Sequence, residues 1–158
     1  MPQAVDMEAA AELPRTEVDL NGEFRLKVDG KGRVTLPAKF RKVLSSDLTV
    51  TRDPFDECIY AFEAPGFNQW VESVMSGAFP ERKANDRKQD AYHRALKGRA
   101  RDVEVDSAGR IMLSADMREA CGIDKDVVVV GNGSRFEIWD AQRYEDELAS
   151  VDLSLLFT

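Results

Sequence analysis

The chain has 158 residues, of which 43% are hydrophobic and 32% charged, a normal balance for one globular domain or two small ones sharing a core. No apolar run is long enough to span a bilayer, and the N-terminal region lacks the features of a secretory signal. Because two cysteines cannot form a disulfide scaffold either, we expect a cytoplasmic protein. The single histidine argues against a catalytic triad or a multi-histidine metal site, and the net charge of −7 by itself argues against nucleic acid as a partner.

The charge is distributed unevenly along the chain. Residues 1–23 sum to −5 and residues 140–158 sum to −4, whereas residues 25–42 carry seven bases and one acid. A second basic stretch, 81–101, has eight bases and three acids. Because binding follows the local field and not the total charge, these stretches can attract phosphate. The alternative interpretation is a charged face exposed to solvent.

In chain order, the first 20 residues are small, acidic and aperiodic, which predicts a disordered extension. Apolar and charged residues alternate over 24–29, which is the period of a half-buried strand. A glycine-containing turn follows at 30–32, since glycine adopts a positive φ at little cost. The apolar run 34–36 predicts another strand, and Pro37 suits the first turn of a short helix.

Two further strands and two helices are predicted before residue 100. Short runs of β-branched, aliphatic and aromatic residues predict strands at 48–50 and 58–62. Apolar residues at helical spacing over 67–74 predict an amphipathic helix. A glycine-free stretch then predicts a helix over 81–96, within a basic connector at 77–100.

The same order of elements returns in the second half of the chain. The predicted strands lie at 101–106, 111–113, 127–130 and 136–139, with glycine-containing turns at 107–109 and 131–134. Tyr144, Leu148 and Val151 are at helical spacing and predict a closing helix, after which residues 154–158 form a short tail.

An internal repeat accounts for this recurrence. Residues 28–44 and 105–121 align at an offset of 77 positions, with seven identities in 17 positions. The identical pairs are Val28/Val105, Asp29/Asp106, Gly32/Gly109, Arg33/Arg110, Leu36/Leu113, Ala38/Ala115 and Arg41/Arg118. We therefore divide the chain into a first copy at 21–76 and a second at 101–153. Two copies predict a pseudo-twofold pair, because a solenoid needs at least three repeats.

The repeated pattern of strand, D-x-x-G-R, strand and short arginine-containing helix resembles the MraZ family of bacterial transcription regulators, within the wider AbrB/SpoVT swapped-hairpin group. The first copy has DGKGR at 29–33, and the second has DSAGR at 106–110 followed by FEIWD at 136–140. A single D-x-x-G-R would be a weak signal, whereas two copies at this separation extend the resemblance over most of the chain.

The resemblance implies a mainly β fold with short helices (α+β), in which two AbrB-like copies interleave swapped hairpins into a pseudo-twofold β-barrel. It also implies ring-like homo-oligomers that bind short tandem repeats in promoters and control the division and cell-wall gene cluster. The expected partners are double-stranded DNA and further copies of the chain, and the expected location is the nucleoid. We expect no membrane association, no cofactor, no metal and no small-molecule ligand.

Lys31 and Arg33 are the leading candidates for contact with DNA. They lie in a glycine-flanked turn, where the backbone can approach a duplex closely. A lysine presents a point charge to phosphate, whereas the planar arginine fork can bind phosphate or the O6/N7 edge of guanine. The alternative is that Arg33 only pairs with Asp29 to hold the turn, and the repetition of that pair as Asp106 and Arg110 keeps the alternative open.

The other candidates are assigned from their neighbourhood. Further DNA-binding candidates are Arg25, Lys27, Lys39 and Arg110, and the residues interpreted as turn-stabilising are Asp29, Gly32, Asp106 and Gly109. Residues 25–42 sum to +6, whereas residues 102–119 sum to −3. We therefore expect the first copy to supply the main nucleic-acid face and the second mainly to complete the fold and the oligomer.

The sequence also bears on two other functional classes. The chain has no P-loop, G-x-S-x-G, H-E-x-x-H or paired-cysteine motif, so we do not expect an enzyme. The second hypothesis is an antitoxin-like DNA-binding module whose flexible acidic tail neutralises a toxin partner. Antitoxins of the AbrB type generally carry one copy and a long disordered C-terminal arm. Two copies and a short tail favour the regulator.

Overall fold

Residues 17–158 are described by a computed structural model of the chain. The predicted disordered extension falls mostly on residues 1–16, which lie outside the described residues. Its last residue, Leu20, is buried and exchanges two backbone hydrogen bonds with Gly133, at N···O distances of 2.8 and 3.0 Å. Leu20 therefore belongs to the fold and not to an extension, because its side chain packs in the core and its backbone forms a β-bridge.

Both copies form the same sequence of elements. The first copy consists of β1 (Glu23–Lys27), β2 (Arg33–Thr35), α1 (Ala38–Arg41), β3 (Asp47–Arg52), β4 (Ile59–Phe62) and α2 (Ala64–Ala78). After the connecting helix α3 (Arg87–Gly98), the second copy consists of β5 (Arg101–Glu104), β6 (Arg110–Met112), α4 (Ala115–Ala120), β7 (Asp126–Asn132), β8 (Arg135–Asp140) and α5 (Ala141–Ala149). A 3₁₀ helix, Leu153–Phe157, follows.

The helix expected at 81–96 begins later than the sequence predicted. It spans Arg87–Gly98, because Asn85 has a φ of 66° and Asp86 acts as the N-cap, its side chain accepting a hydrogen bond from the backbone N–H of Gln89 at 3.0 Å. A positive φ is incompatible with a right-handed helix, and an N-cap carboxylate satisfies a free N–H in the first turn. The Gln89 side chain also donates to the carbonyl of Glu81 at 3.1 Å, which holds the preceding loop against the helix.

The two copies are interleaved in one six-stranded antiparallel sheet. Its strand order is β1-β7-β8-β4-β3-β5, and a separate two-stranded ribbon pairs β2 with β6. Each copy therefore lends its first strand to the other: β1 pairs with β7 of the second copy, and β5 pairs with β3 of the first. The order is unchanged when the copies are exchanged. The expected mainly β, α+β class with interleaved copies is confirmed.

The registers of the β4–β8 and β2–β6 strand pairs show that a pseudo-twofold axis passes through both sheets. Tyr60 in β4 is opposite Glu137 in β8, and Val34 in β2 is opposite Ile111 in β6. The members of each pair are 77 positions apart, the offset of the repeat. A residue that pairs with its own counterpart must lie on the axis that relates the copies.

The expected β-barrel is not formed among residues 17–158, because the six-stranded sheet does not close. β1 pairs only with β7, and β5 pairs only with β3, so both remain edge strands. The open side is covered by the β2–β6 ribbon, whose central residues Val34 and Ile111 are 0% and 1% exposed and belong to the main core cluster. Packing of the ribbon against the sheet replaces the strand pairing that would close a barrel.

The main core joins both copies around Phe40. Its ring lies 5.3 Å from that of Phe24 and 5.5 Å from that of Phe136 in the second copy, measured between centroids. Burial of a large apolar side chain contributes about 1.5–3 kcal/mol. A second apolar cluster joins Phe62 in the sheet to Met75 on the inner face of α2. Since Phe40 is shared between the copies, neither copy has a complete core without the other.

Candidate nucleic-acid interface

The D-x-x-G-R turn of each copy is organised by its aspartate. Oδ1 of Asp29 accepts hydrogen bonds from the backbone N–H groups of Lys31 and Arg33, both at 2.9 Å, and Oδ2 accepts from Nε of Arg33 at 2.8 Å. In the second copy, Asp106 accepts from the backbone N–H of Arg110 at 2.9 Å and from its Nε at 3.0 Å. The aspartate thus holds both the turn and the inner edge of the guanidinium.

The hydrogen bonds keep both carboxylates ionised. The pKa of Asp29 is lowered from 3.8 to about 2, chiefly by the hydrogen bond from the backbone N–H of Arg33. The pKa of Asp106 is also lowered, chiefly by the backbone N–H of Arg110. A hydrogen bond to the charged form of an acid favours that form. The turns therefore keep this arrangement throughout the neutral pH range.

A glycine in each turn makes room for an arginine of the other copy. Gly32 and Gly109 both have a φ of +83°, a conformation that glycine adopts without strain. A Cβ on Gly109 would lie 2.8 Å from Cζ of Arg41, and one on Gly32 would lie 2.9 Å from Nη2 of Arg118. The short helix of each copy therefore places its arginine over the turn of the other copy. The repeat shows that both copies carry this arginine, but not that the two arginines cross between copies.

The ribbon presents two arginines on one outward face. The central residues of β2 and β6 are buried, so the flanking residues Arg33, Thr35, Arg110 and Met112 project to the opposite side. In the register, Arg33 is opposite Met112 and Thr35 is opposite Arg110. The pseudo-twofold axis therefore relates the two guanidinium groups, whose side chains are 25% and 32% exposed.

Both guanidinium groups retain unused donors. Nε of each arginine donates to its aspartate, and among residues 17–158 the terminal nitrogens of Arg33 and Arg110 have no hydrogen-bond acceptor. Lys31 is exposed, and its Nζ has no acceptor within the same residues. A guanidinium held at one edge and free at the other can bind a planar acceptor pair with little loss of side-chain freedom.

Three other candidates have partners within the protein. Arg25 forms an ion pair with Glu145, and Lys27 pairs with Asp126 at 2.5 Å. Lys39 donates to Asn21. The first two pairs join β1 to elements of the second copy. The charges of Arg25 and Lys27 are therefore partly compensated. Arg33 and Arg110 are also ion-paired, but through Nε, which leaves their terminal nitrogens without an acceptor among residues 17–158.

The sequence analysis did not identify two residues of the ribbon face and one buried acid of the six-stranded sheet. Thr35 and Met112 complete the outer face of the ribbon, and strict alternation within the two short apolar runs was the available signal. Glu137 is 6% exposed and accepts hydrogen bonds from Arg135 and Trp139, both at 2.9 Å. An acid within an otherwise apolar predicted strand was the signal for this buried network on the pseudo-twofold axis.

The described part of the chain contains no group of three or more His, Cys, Asp or Glu side chains that could hold a metal ion. Among the same residues, no helix is long and apolar enough to cross a membrane.

Comparison with known proteins points to one family. A family profile described as "MraZ protein, putative antitoxin-like" matches residues 20–90 and 96–155. A protein of Methylibium petroleiphilum named transcriptional regulator MraZ is 36% identical over 139 residues, which cover 85% of this chain and 89% of the relative. Relatives of the same name from Micrococcus luteus and Saccharopolyspora erythraea are 38% identical over 131 residues and 37% over 127, covering 83% and 80% of this chain and 87% and 85% of those proteins.

Proposed function

This chain belongs to the MraZ family and is a transcriptional regulator, and on that premise we propose that it binds duplex DNA at short tandem promoter repeats as a ring-like homo-oligomer. The promoter we propose is that of the division and cell-wall gene cluster, and the place of action is the nucleoid. The names of the relatives point to a regulatory role, not to an enzymatic one.

The outward face of the β2–β6 ribbon carries the proposal. Arg33 and Arg110 lie on this face, each fixed at Nε by an aspartate and each with two terminal nitrogens that no acceptor among residues 17–158 occupies. The major groove of B-DNA admits a two-stranded β-ribbon, and an arginine fork matches either phosphate oxygens or the O6 and N7 atoms of guanine. Binding of the ribbon to DNA therefore needs no change in the turns.

We propose that both copies contact DNA, but unequally. The first copy adds Lys31 beside its arginine, whereas the corresponding position of the second copy is Ala108. The first turn therefore offers one more cation to phosphate than the second. Arg25, Lys27 and Lys39 contribute to the surrounding positive field more weakly, because acids or an amide of the protein already engage them.

A ring explains how so small a surface achieves useful affinity. One ribbon offers few contacts, so a single subunit binds weakly. When several subunits are linked, the later contacts become intramolecular, and avidity can exceed the affinity of one site by about 10²–10⁴. Tandem repeats in the operator would match the repeated ribbons of the oligomer.

The antitoxin-like alternative is supported by the wording of the family description and by the acidic residues 140–158. An antitoxin arm of the AbrB type is long and disordered, whereas here α5 and a 3₁₀ helix occupy most of that stretch. We therefore favour the regulator. If expression of this chain alone restored growth to cells that express a toxin gene adjacent in the genome, that preference would be reversed.

The test is binding to DNA duplexes that carry one or several copies of the same site. The site is first selected from a random duplex pool, and fluorescence anisotropy then compares a single-site duplex with a tandem one. We expect the tandem duplex to bind about 10²–10⁴ times more tightly. A tandem duplex whose sites are shifted by half a helical turn serves as the control. Equal affinity for single and tandem duplexes would refute the proposed mode of binding.

A further inference from the structure

A cluster of exposed apolar side chains follows α5. The 3₁₀ helix at 153–157 carries Leu153, Leu155, Leu156 and Phe157, which are 65–85% exposed. Hydrogen bonds hold the segment in shape, since Asp152 accepts from the backbone and hydroxyl of Ser154 at 3.1 and 2.7 Å. Contiguous apolar surface of this kind marks an interaction site.

An open apolar groove of about 380 Å³ lies between α2 and α3. Its lining residues include Val74, Met75, Phe79, Lys88, Tyr92 and Leu96. The rings of Phe79 and Tyr92 are 5.8 Å apart, and Tyr92 is 55% exposed. The volume falls within the usual range of binding pockets, about 300–1,000 Å³. The groove therefore has room for large apolar side chains.

The apolar segment and the groove do not meet within one chain. The side chains of 153–157 remain exposed, and so does Tyr92 in the groove. α2 packs on β3 and β4, whereas α5, which precedes the segment, packs on β7 and β8. In the strand order these pairs form opposite halves of the sheet. Each protomer therefore carries a donor surface on one half and an acceptor groove on the other.

We propose that the segment 153–157 of one copy of this chain occupies the α2–α3 groove of the next copy, and that this contact closes the ring. The proposal rests on the homo-oligomer proposed above and identifies the surfaces that form it. Because the two surfaces differ, the contact is heterologous, and successive heterologous contacts generate a ring when the rotation closes. The same arrangement leaves the β2–β6 ribbon of every copy free for DNA.

Charge complementarity identifies a second copy of the chain as the occupant. α3 carries four bases and one acid, whereas residues 144–158 carry four acids and no base. Lys88 lines the groove and has no carboxylate partner among residues 17–158. Glu147 and Asp152 lie next to the apolar segment on the donor side. Opposite charges around a shared apolar contact favour this pairing over an arbitrary hydrophobic partner.

Cysteine cross-linking tests the contact directly. One preparation carries Leu156→Cys in the apolar segment, and the other carries Ala78→Cys, since Ala78 also lines the groove. The native thiols do not interfere, because Cys58 and Cys121 are buried and burial raises the pKa of both, that of Cys121 to about 11. The two preparations are mixed, allowed to exchange subunits and oxidised gently, with the wild-type chain as the control.

We expect a cross-linked dimer in the mixture and in neither preparation alone. A chain carrying both substitutions should form a ladder that ends at the ring size found by light scattering. If the ladder were absent while light scattering showed the oligomer, this inference would be overturned and the proposed ring would stand. A cross-link confined to single chains of the doubly substituted protein would also overturn it. A wild-type chain that is monomeric at micromolar concentration would overturn both the inference and the proposed ring.

A matched pair of substitutions measures the contribution of the contact. Phe157→Asp removes an apolar side chain that is 85% exposed, and the control Phe55→Asp removes one that is 79% exposed in the β3–β4 loop. Because both side chains are exposed, neither change should alter the melting temperature of the protomer. We expect Phe157→Asp alone to raise the concentration at which the oligomer dissociates by about tenfold or more, the loss typical of an interface hot spot.

The DNA readout separates this inference from the proposed function. Phe157→Asp should keep the affinity for a single-site duplex and lose the advantage of the tandem duplex, since the ribbon is unchanged. Loss of single-site binding by Phe157→Asp would overturn the inference, because the segment would then take part in DNA contact. Equal effects of Phe157→Asp and Phe55→Asp on assembly would overturn it as well.

Discussion

Replacement of the ribbon arginines gives the sharpest test of the DNA-binding face. Arg33→Ala and Arg110→Ala each remove one guanidinium whose Nε is bound to an aspartate and whose terminal nitrogens are free among residues 17–158. Each change should therefore remove one contact to DNA per engaged subunit. We expect both variants to bind a single-site duplex less tightly than the wild-type chain.

The size of the loss distinguishes a phosphate contact from a base contact. A lost phosphate contact lowers the slope of log K against log salt by about 0.9, so the advantage of the wild type shrinks about 3.5-fold between 50 and 200 mM salt. A lost bidentate contact to guanine removes about 1–3 kcal/mol at either salt concentration, which is about 5- to 160-fold in Kd. The ratio of wild-type to variant affinity at two salt concentrations therefore identifies the contact.

The assay is anisotropy on the single-site duplex at both salt concentrations, together with thermal melting of every variant. Arg94→Ala is the matched control, because Arg94 is an exposed arginine of α3 paired with Asp90 and its removal changes the net charge equally. If Arg33→Ala bound as tightly as the control at both salt concentrations, the assignment of the ribbon face would be wrong. If only Arg110→Ala behaved as the control, the first copy alone would read DNA.

Three further predictions concern the frame that holds this face. Gly109→Ala should destabilise the protein by about 1–2 kcal/mol, because its φ of +83° is left-handed. Gly30→Ala should leave the melting temperature unchanged, because a Cβ added at Gly30 has no atom within 4 Å. Phe40→Ala should lower the free energy of unfolding by about 3–5 kcal/mol in a single denaturant transition, and two separate transitions would show that the copies fold independently. Since the pKa of Asp29 falls from 3.8 to about 2 on folding, its carboxylate stabilises the protein fully above about pH 4, and this stabilisation is lost as the pH falls through 2. Asp29→Asn should therefore remove part of the decrease in melting temperature between pH 4 and 2, and an unchanged profile would contradict the pairing.

Much of the fold could be predicted because its signals are local. Alternation placed β1 and β5 within two residues of their observed ends, and the glycine turns before β2 and β6 were found by residue type alone. The offset of 77 positions predicted two equivalent copies. The strand register confirms this equivalence, because Tyr60 pairs with Glu137, its counterpart 77 positions later. The start of α3 was missed because one residue with a positive φ, Asn85, ended the preceding loop in a stretch that otherwise favours a helix.

The sequence by itself determined which residues recur, and hence which turns and strands the two copies share. Only the tertiary structure decided which surface those residues form. Arg41 is the last residue of α1 but lies over Gly109 of the other copy, and Lys27 pairs with Asp126 on the neighbouring strand. Such pairings depend on strand order and register, which arise from burial of the whole core, so no local pattern encodes them. The same long-range packing places Arg33 and Arg110 on one face, although the segments around them, 25–42 and 102–119, carry net charges of opposite sign.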